Sequence, residues 1–271
     1  MFDDYERTQI KTEDFQMYND ILTIGPVTIH GYGLMIAIGI IAALLAGIQL
    51  AKYKEIDPDE LFNLTFIAVF SGFLSAKILF CIVEWKAFIS DPMSVLGSDG
   101  FVVYGGIIGG TLFCGLYCKF KALPFWKYFD TVLPSVAIAQ GFGRIGCFLA
   151  GCCYGRETDS WVGIAFRNSD YAPNNVALIP TQLFSSAGLF IMAAILFLYA
   201  RKKPADGRLG TLYLIMYSTG RAIIEVFRND FRGEIGPLST SQFISVFVLI
   251  LGIILFAKPK LFIRNKRQDT H

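Results

Sequence analysis

TVLPSVAIAQGFGRIGCFLAGCCYGRET, residues 131–158, places one arginine, Arg144, inside an apolar run of helix length and follows it with Cys147, Cys152 and Cys153. A run of about 17–25 apolar residues is what an ~30 Å hydrocarbon layer requires of a spanning helix. A guanidinium cannot be neutralised there, and leaving it in hydrocarbon costs at least ~2.5 kcal/mol on insertion scales unless an anionic group or water reaches it. The stretch therefore predicts a membrane helix that carries a cation to something negative. It points to chemistry on lipid.

The rest of the chain agrees with a bilayer setting. Hydrophobic residues make up 54% of the sequence and charged residues 17%, and the mean hydropathy is +0.51, a balance that a soluble domain of 271 residues would struggle to keep in solution. The net charge of +2 is small and the basic residues form no single stripe, which excludes a nucleic-acid-binding protein. Six cysteines are too few and too apolar in setting to be a disulfide framework, because Cys81, Cys114 and Cys118 lie in runs where a thiol serves as a small hydrophobe.

Seven candidate spans follow, near 33–51, 61–83, 101–118, 131–150, 181–200, 209–227 and 241–257. The predicted fold is an all-α integral membrane protein of about seven transmembrane helices, a single membrane-embedded domain over 1–271 with a small extracytoplasmic head or lid. The first 28 residues have no basic leader, apolar core or small-residue cleavage site, so the first span is expected to stay attached. The connections 52–60, 119–130, 201–208 and the tail 258–271 hold fourteen of the Lys and Arg residues, against seven in the alternate set. By the positive-inside rule the N-terminus lies outside and the C-terminus in the cytoplasm. Lys77, Arg144, Arg221 and Glu225 then fall in the outer halves of their spans. His30, Tyr32, Tyr104, the Gly105–Gly110 cluster, Thr181, Gln182, Ser241 and Gln242 fall at outer ends. This sorting by face is what a site for a lipid headgroup predicts. The connection from about 151 to 180 is the longest external one and is placed to cover it.

Other signals have blander readings. GFGRIG at 141–146 matches a dinucleotide fingerprint, but no strand precedes it and no βαβ unit fits so apolar a run. In YGGIIGG the pairs Gly105/Gly109 and Gly106/Gly110 suit close helix packing, and equally suit a phosphate approaching free amides at a helix start. Positions five and six beyond Cys147 point about 140° and 240° away on a continuous helix, so the three thiols meet only if Gly151 breaks it. No metal site and no cofactor is expected, and Cys147 is expected to pack. Arg221, Glu225 and Arg228 share one helix face, where Glu225 can neutralise Arg221. No other carboxylate lies within a predicted span, which leaves Arg144 and Lys77 without anions, and a lipid phosphate is the simplest one.

Ile29-His30-Gly31-Tyr32-Gly33, Tyr104-Gly105-Gly106-Ile107-Ile108-Gly109, Gly143-Arg144-Ile145-Gly146, Gly155-Arg156, Pro180-Thr181-Gln182-Leu183 and the series Tyr217, Arg221, Glu225, Arg228 occur in an order that resembles the bacterial prolipoprotein diacylglyceryl transferase family. The resemblance covers nearly the whole chain. It implies seven transmembrane helices in a bacterial cell membrane, with the active site toward the outer leaflet. It also implies transfer of a diacylglyceryl group from phosphatidylglycerol to the lipobox cysteine thiol of a preprolipoprotein, with glycerol phosphate released. Arg144, Arg221, Glu225 and Tyr104 are the catalytic candidates it suggests. Tyr32, Lys77, Gly105, Gly106, Gly155, Gln182, Tyr217 and Arg228 are the substrate-binding candidates. Tyr104 stands where the family usually has a histidine given the general-base role, Ile179 and Ser185 replace a histidine and a glutamate, and Cys147, Ala150 and Cys152 replace two asparagines and a glutamate. An alternative reading is a divergent membrane thiol enzyme using Cys152 or Cys153 for acyl transfer or redox work on a lipid-soluble substrate.

Overall fold

In hydrocarbon every backbone N–H and C=O must be satisfied internally, so long apolar segments become helices. A computed structural model describes residues 13–16, 20–24, 27–98, 100–229, 234–235 and 238–257, and among these the long runs are helical throughout. They are α1 (Gly31–Lys54), α2 (Pro58–Val83), two short turns α3 (Trp85–Ser90) and α4 (Pro92–Gly97), α5 (Val103–Phe120), α6 (Phe125–Leu149), α7 (Thr181–Ala200), α8 (Arg208–Phe227) and α9 (Thr240–Ala257). Short strands lie between or before them: β1 (Glu13–Gln16), β2 (Asp20–Ile24), β3 (Val27–His30), β4 (Ile164–Arg167), β5 (Ala177–Leu178), β6 (Glu234–Ile235) and β7 (Leu238–Ser239). The basic tail 258–271 and Arg7, Lys11 and Arg232, all used in the charge count, lie outside the described residues.

Among the described residues, six helices are long and apolar enough to cross a membrane: α1, α2, α5, α6, α7 and α9. The remaining predicted span is α8, which has the same length as α7 but carries Arg208, Arg221 and Glu225, so it does not qualify by composition. The helices present large apolar side chains outward, Phe66 and Phe70 on α2 and Ile108 on α5 among them, each more than 60% exposed. That is the pattern of a surface solvated by lipid.

Chain contacts group the residues into two units, Gly47–Val132 and the remainder, where the sequence reading expects one domain. In the unit Gly47–Val132, α2 begins with Asp57 as N-cap, its carboxylate accepting from Asp59 N at 2.9 Å, followed by Pro58 in the first turn. α5 packs along α2 through its glycines. A Cβ on Gly105 would stand 2.5 Å from Ser75 O, and one on Gly109 would stand 2.3 Å from Ser75 Cβ, so only glycine permits this approach. Of the two readings weighed for these glycines, helix packing accounts for both. Lys54 and Asp130, both fully withdrawn from solvent, pair at 3.3 Å. Asp130 therefore corrects the expectation that Glu225 is the one carboxylate within a span, because α6 begins a turn and a half earlier than its apolar run and carries Asp130 inside it.

In the other unit, the connection between α6 and α7 folds into a head of its own. β4 pairs in parallel with β1 and antiparallel with β5, and Phe166 and Leu178 are buried with Phe148 from the end of α6. β2 and β3 form a hairpin ahead of α1, with His30 Nδ1 2.7 Å from Asp20 Oδ1 on its exposed face. GFGRIG lies in the middle of α6, as helix and not as a nucleotide loop.

Candidate headgroup site and thiol cluster

Arg144 on α6 lines a cavity of about 160 Å³ together with Ser185 on α7 and Tyr217 and Arg221 on α8. Gly188 and Gly220 also face it, and a Cβ on either would meet nothing within 4 Å, so neither α7 nor α8 closes the space. Tyr217 stacks on Tyr213 at 5.6 Å between ring centres, and the Tyr213 hydroxyl donates to Gln140 Oε1 at 2.8 Å, which ties this face of α8 to α6. Ser185 Oγ is turned back to donate to Thr181 O at 2.6 Å.

The two arginines differ in how their charge is met. Arg221 lies 2.5 Å from the Glu225 carboxylate and donates through Nη2 to Ser241 Oγ at 2.9 Å, while Ser239 Oγ donates to Glu225 Oε1 at 2.8 Å. The side chains are 12% and 6% exposed, so this is an embedded ion pair pinned by Ser239 at the end of β7 and Ser241 at the start of α9. Arg144 has no carboxylate partner among the described residues. It remains the cation in need of an anion.

Lys77 does not. Its ammonium donates to Ser98 O at 2.6 Å and to Gly100 O at 3.2 Å, and it lies 5.1 and 4.9 Å from the ring centres of Phe80 and Phe101. The sequence reading left Lys77 waiting for a phosphate. Carbonyl dipoles and the Phe101 ring from the α4–α5 connection, with the Phe80 ring of α2, surround it. Tyr104, Gly105 and Gly106 belong, like Lys77, to the unit Gly47–Val132.

The cysteines come together because Gly151 breaks the helix, the condition their spacing set. α6 ends in a Schellman turn: Gly151 takes φ 70°, its N–H donates to Phe148 O at 3.0 Å, and Cys152 N donates back to Cys147 O at 3.1 Å. That outer bond sets Cys152 directly over Cys147, which a continuous helix would not do. Cys153 then adopts φ 65°, a left-handed conformation rare for a side-chain-bearing residue, and turns its sulphur back. The three sulphur atoms lie within 4.8 Å of one another and form mutual hydrogen bonds. Cys147 is thus part of a cluster and not a simple packing residue. Hydrogen bonds with Cys147 and Cys153, and burial, push the Cys152 thiol well above its ordinary value.

The Pro-Thr-Gln motif holds this turn. Thr181 Oγ1 donates to Cys153 O and Gln182 Nε2 to Cys152 O, both at 2.8 Å. Gln182 is 1% exposed, and its Oε1 has no partner among the described residues. Gly155 is fixed by crowding, because a Cβ there would stand 2.6 Å from Ile179 O, and it bridges to Arg228, which is buried. Tyr32 on α1 packs on Gly146 of α6 and lies within electrostatic range of Arg144 and all three cysteines. Sequence reasoning missed Ser239 as an anchor of Glu225 and Ser185 as a lining residue. Ser185 had a signal, standing one turn beyond Gln182 on α7, whereas Ser239 had none.

Taken together, the fold and the site define a polytopic helical membrane protein with a cationic cleft between its helices. The family model described as prolipoprotein diacylglyceryl transferase matches residues 19–258, and the chain belongs to that family. The chain is 48% identical over 230 residues to the phosphatidylglycerol–prolipoprotein diacylglyceryl transferase of Clostridium tetani, covering 84% of this chain and 92% of that protein. It is 47% identical over 238 residues to phosphatidylglycerol–prolipoprotein diacylglyceryl transferase 2 of Clostridium perfringens, covering 86% and 92%. It is 33% identical over 245 residues to the corresponding transferase of Trichormus variabilis, covering 86% of each.

Proposed function

We propose that this protein transfers a diacylglyceryl group from phosphatidylglycerol to the lipobox cysteine thiol of a preprolipoprotein, at a site facing the outer leaflet of a bacterial cell membrane. The observation that carries the reading is Arg144, a cation in an apolar cleft whose neighbour Arg221 already has its carboxylate. A lipid phosphate entering the cleft supplies the missing anion, and a planar guanidinium can hold two of its oxygens at once. The leaving group is glycerol phosphate, on which negative charge grows as the carbon–oxygen bond breaks. Donors fixed in advance where that charge develops lower the barrier. Arg144 meets the phosphate directly. Arg221, held in place by Glu225 and Ser241, lines the same cavity and can direct guanidinium N–H donors at the phosphate while its charge is balanced by Glu225.

In this reading the N-terminus lies outside, the C-terminus in the cytoplasm, and α8 crosses the membrane as a seventh span. Its three charged side chains are tolerated because Arg221 and Glu225 neutralise each other and Arg208 donates to Phe256 O at 2.9 Å. The head formed by residues 151–180 is, in this reading, the outward-facing cap of the site. The test is direct. Purified protein is incubated with phosphatidylglycerol and a lipobox peptide, and the peptide mass is followed for diacylglyceryl addition. Addition is the expected result. No addition, where an established family member works under the same conditions, rejects the reading.

A further inference from the structure

The acceptor thiol needs help to become a thiolate, and the described residues offer no free base beside Arg144. The chain has two histidines. His30 is engaged with Asp20 on the exposed hairpin, and His271 lies outside the described residues. Glu225 is committed to Arg221. What the site does hold is three thiols aimed at one point, at the end of the helix that carries Arg144.

We propose that Cys147, Cys152 and Cys153 hold one Zn(II) ion as three thiolates, and that the fourth position of this ion binds the acceptor cysteine as a thiolate. This inference rests on the transfer reaction proposed above. Three features support it. The sulphur atoms already lie within 4.8 Å of one another, while tetrahedral zinc with Zn–S bonds of about 2.3 Å sets its sulphurs roughly 3.8 Å apart, so closing the site takes a contraction of about an ångström. The backbone is shaped for this convergence: the Schellman bond superposes Cys152 on Cys147, and Cys153 is kept in a left-handed conformation while Thr181 and Gln182 clamp the carbonyls of Cys152 and Cys153. Finally, no histidine or carboxylate joins the cluster among the described residues, and all three cysteines are only partly buried, so a fourth ligand must come from outside and can reach them. Three protein ligands with one open position is the arrangement of a zinc ion that acts on a substrate, not one that only braces a fold.

The chemistry balances without a separate base. On coordination the acceptor thiol loses its proton to water, as a metal-bound thiol does. The thiolate sulphur then attacks the glyceryl carbon that bears the phosphate ester, a C–S bond forms, the C–O bond breaks, and its electron pair leaves on the phosphate oxygen. Glycerol phosphate departs with its charge facing Arg144, which lies three residues before Cys147 on α6 and within its electrostatic range. No electron changes hands, in keeping with a redox-inert ion.

The full-length protein is purified in detergent without chelator and its metal content measured. About one zinc per chain is expected, retained in Cys118→Ser and lost in Cys152→Ser/Cys153→Ser. Cobalt(II) loaded in place of zinc should show thiolate-to-cobalt charge-transfer absorption that changes on adding a lipobox peptide, and does not change with the same peptide bearing serine for cysteine. Copper as the bound metal, cysteines that stay fully alkylatable in the presence of zinc, or a disulfide among them overturns the proposal. So does a cobalt spectrum blind to the peptide thiol, or transfer that continues at full rate after the metal is stripped. A spectrum that responds to the thiol in a protein that never transfers lipid rejects only the diacylglyceryl reading.

Discussion

Lys77 and Arg144 look alike in the sequence, each a lone cation in an apolar helix, and the structure gives them opposite fates. Around Lys77 the chain supplies everything the charge needs: two carbonyl oxygens and two aromatic faces, all from within the unit Gly47–Val132. Around Arg144 it supplies a cleft, a tyrosine, a second arginine already matched, and no carboxylate among the described residues. A cation in a membrane helix is therefore no sign of an anionic ligand by itself. The sign is a cation that the described residues around it leave unneutralised.

The largest expected effect tests the Arg144 side of this contrast. Arg144→Lys keeps the charge and loses the fork, so transfer should fall ~100-fold or more while membrane insertion and yield stay normal. Near-normal turnover would remove Arg144 from phosphate recognition and leave the cleft without its main argument.

Arg221 and Glu225 come next. Removing either alone leaves an uncompensated charge in a nearly closed setting, for which losses of about 3–5 kcal/mol of stability are typical. Replacing both with apolar residues of similar size should recover most of that stability, read as thermal unfolding in detergent, yet should not restore transfer. If the double variant transfers lipid normally, the pair is a packing device and Arg144 works without it.

A smaller effect is expected at Lys77. Lys77→Met forfeits the bonds to Ser98 and Gly100 and the ammonium's approach to the Phe80 and Phe101 rings, while keeping an unbranched apolar side chain. Apparent thermal stability should drop by a few degrees, the scale of about 1 kcal/mol in a chain of this size, with KM for phosphatidylglycerol unchanged. A tenfold rise in that KM would put Lys77 back in the headgroup site and erase the distinction between the two cations.

These contrasts also mark what the sequence can and cannot reveal. The spans were legible because hydrocarbon imposes one requirement, length with internal hydrogen bonding, and apolar runs record it. Arg144, Arg221 and Glu225 were legible because a charge in such a run demands an explanation, and helical spacing alone supplies the explanation for the last two. The Lys54–Asp130 pair was not, since its partners are 76 positions apart and each sits at the polar edge of a run. The thiol cluster was legible only as a condition on Gly151. Helical periodicity separates Cys147 from Cys152, and the Schellman turn that reunites them is signalled by Gly151 alone, whose effect on side-chain direction appears only once the backbone is known. Gln182 was recognised as a motif residue, but its place in the fold was not legible. Its amide reaches the turn of the cysteines.

The least effect is expected at Tyr104, which tests whether the unit that houses Lys77 takes any part in the chemistry. Tyr104 begins the glycine-rich turn of α5 and is 41% exposed. If it has the base role that a histidine usually fills at this position, Tyr104→Phe should abolish turnover, and Tyr104→His should preserve or raise it while moving the pH optimum down toward an imidazole value. If it only donates a hydrogen bond to the headgroup, Tyr104→Phe should weaken lipid binding by about 0.5–1.5 kcal/mol and leave the pH profile in place. The second outcome is expected. A phenol is ordinarily almost wholly protonated at neutral pH, and a zinc-bound acceptor thiol would leave no proton for it to remove. A pH–rate profile of the wild type and both variants decides the matter: an inflection present in the wild type and missing in Tyr104→Phe would move the proton transfer to Tyr104.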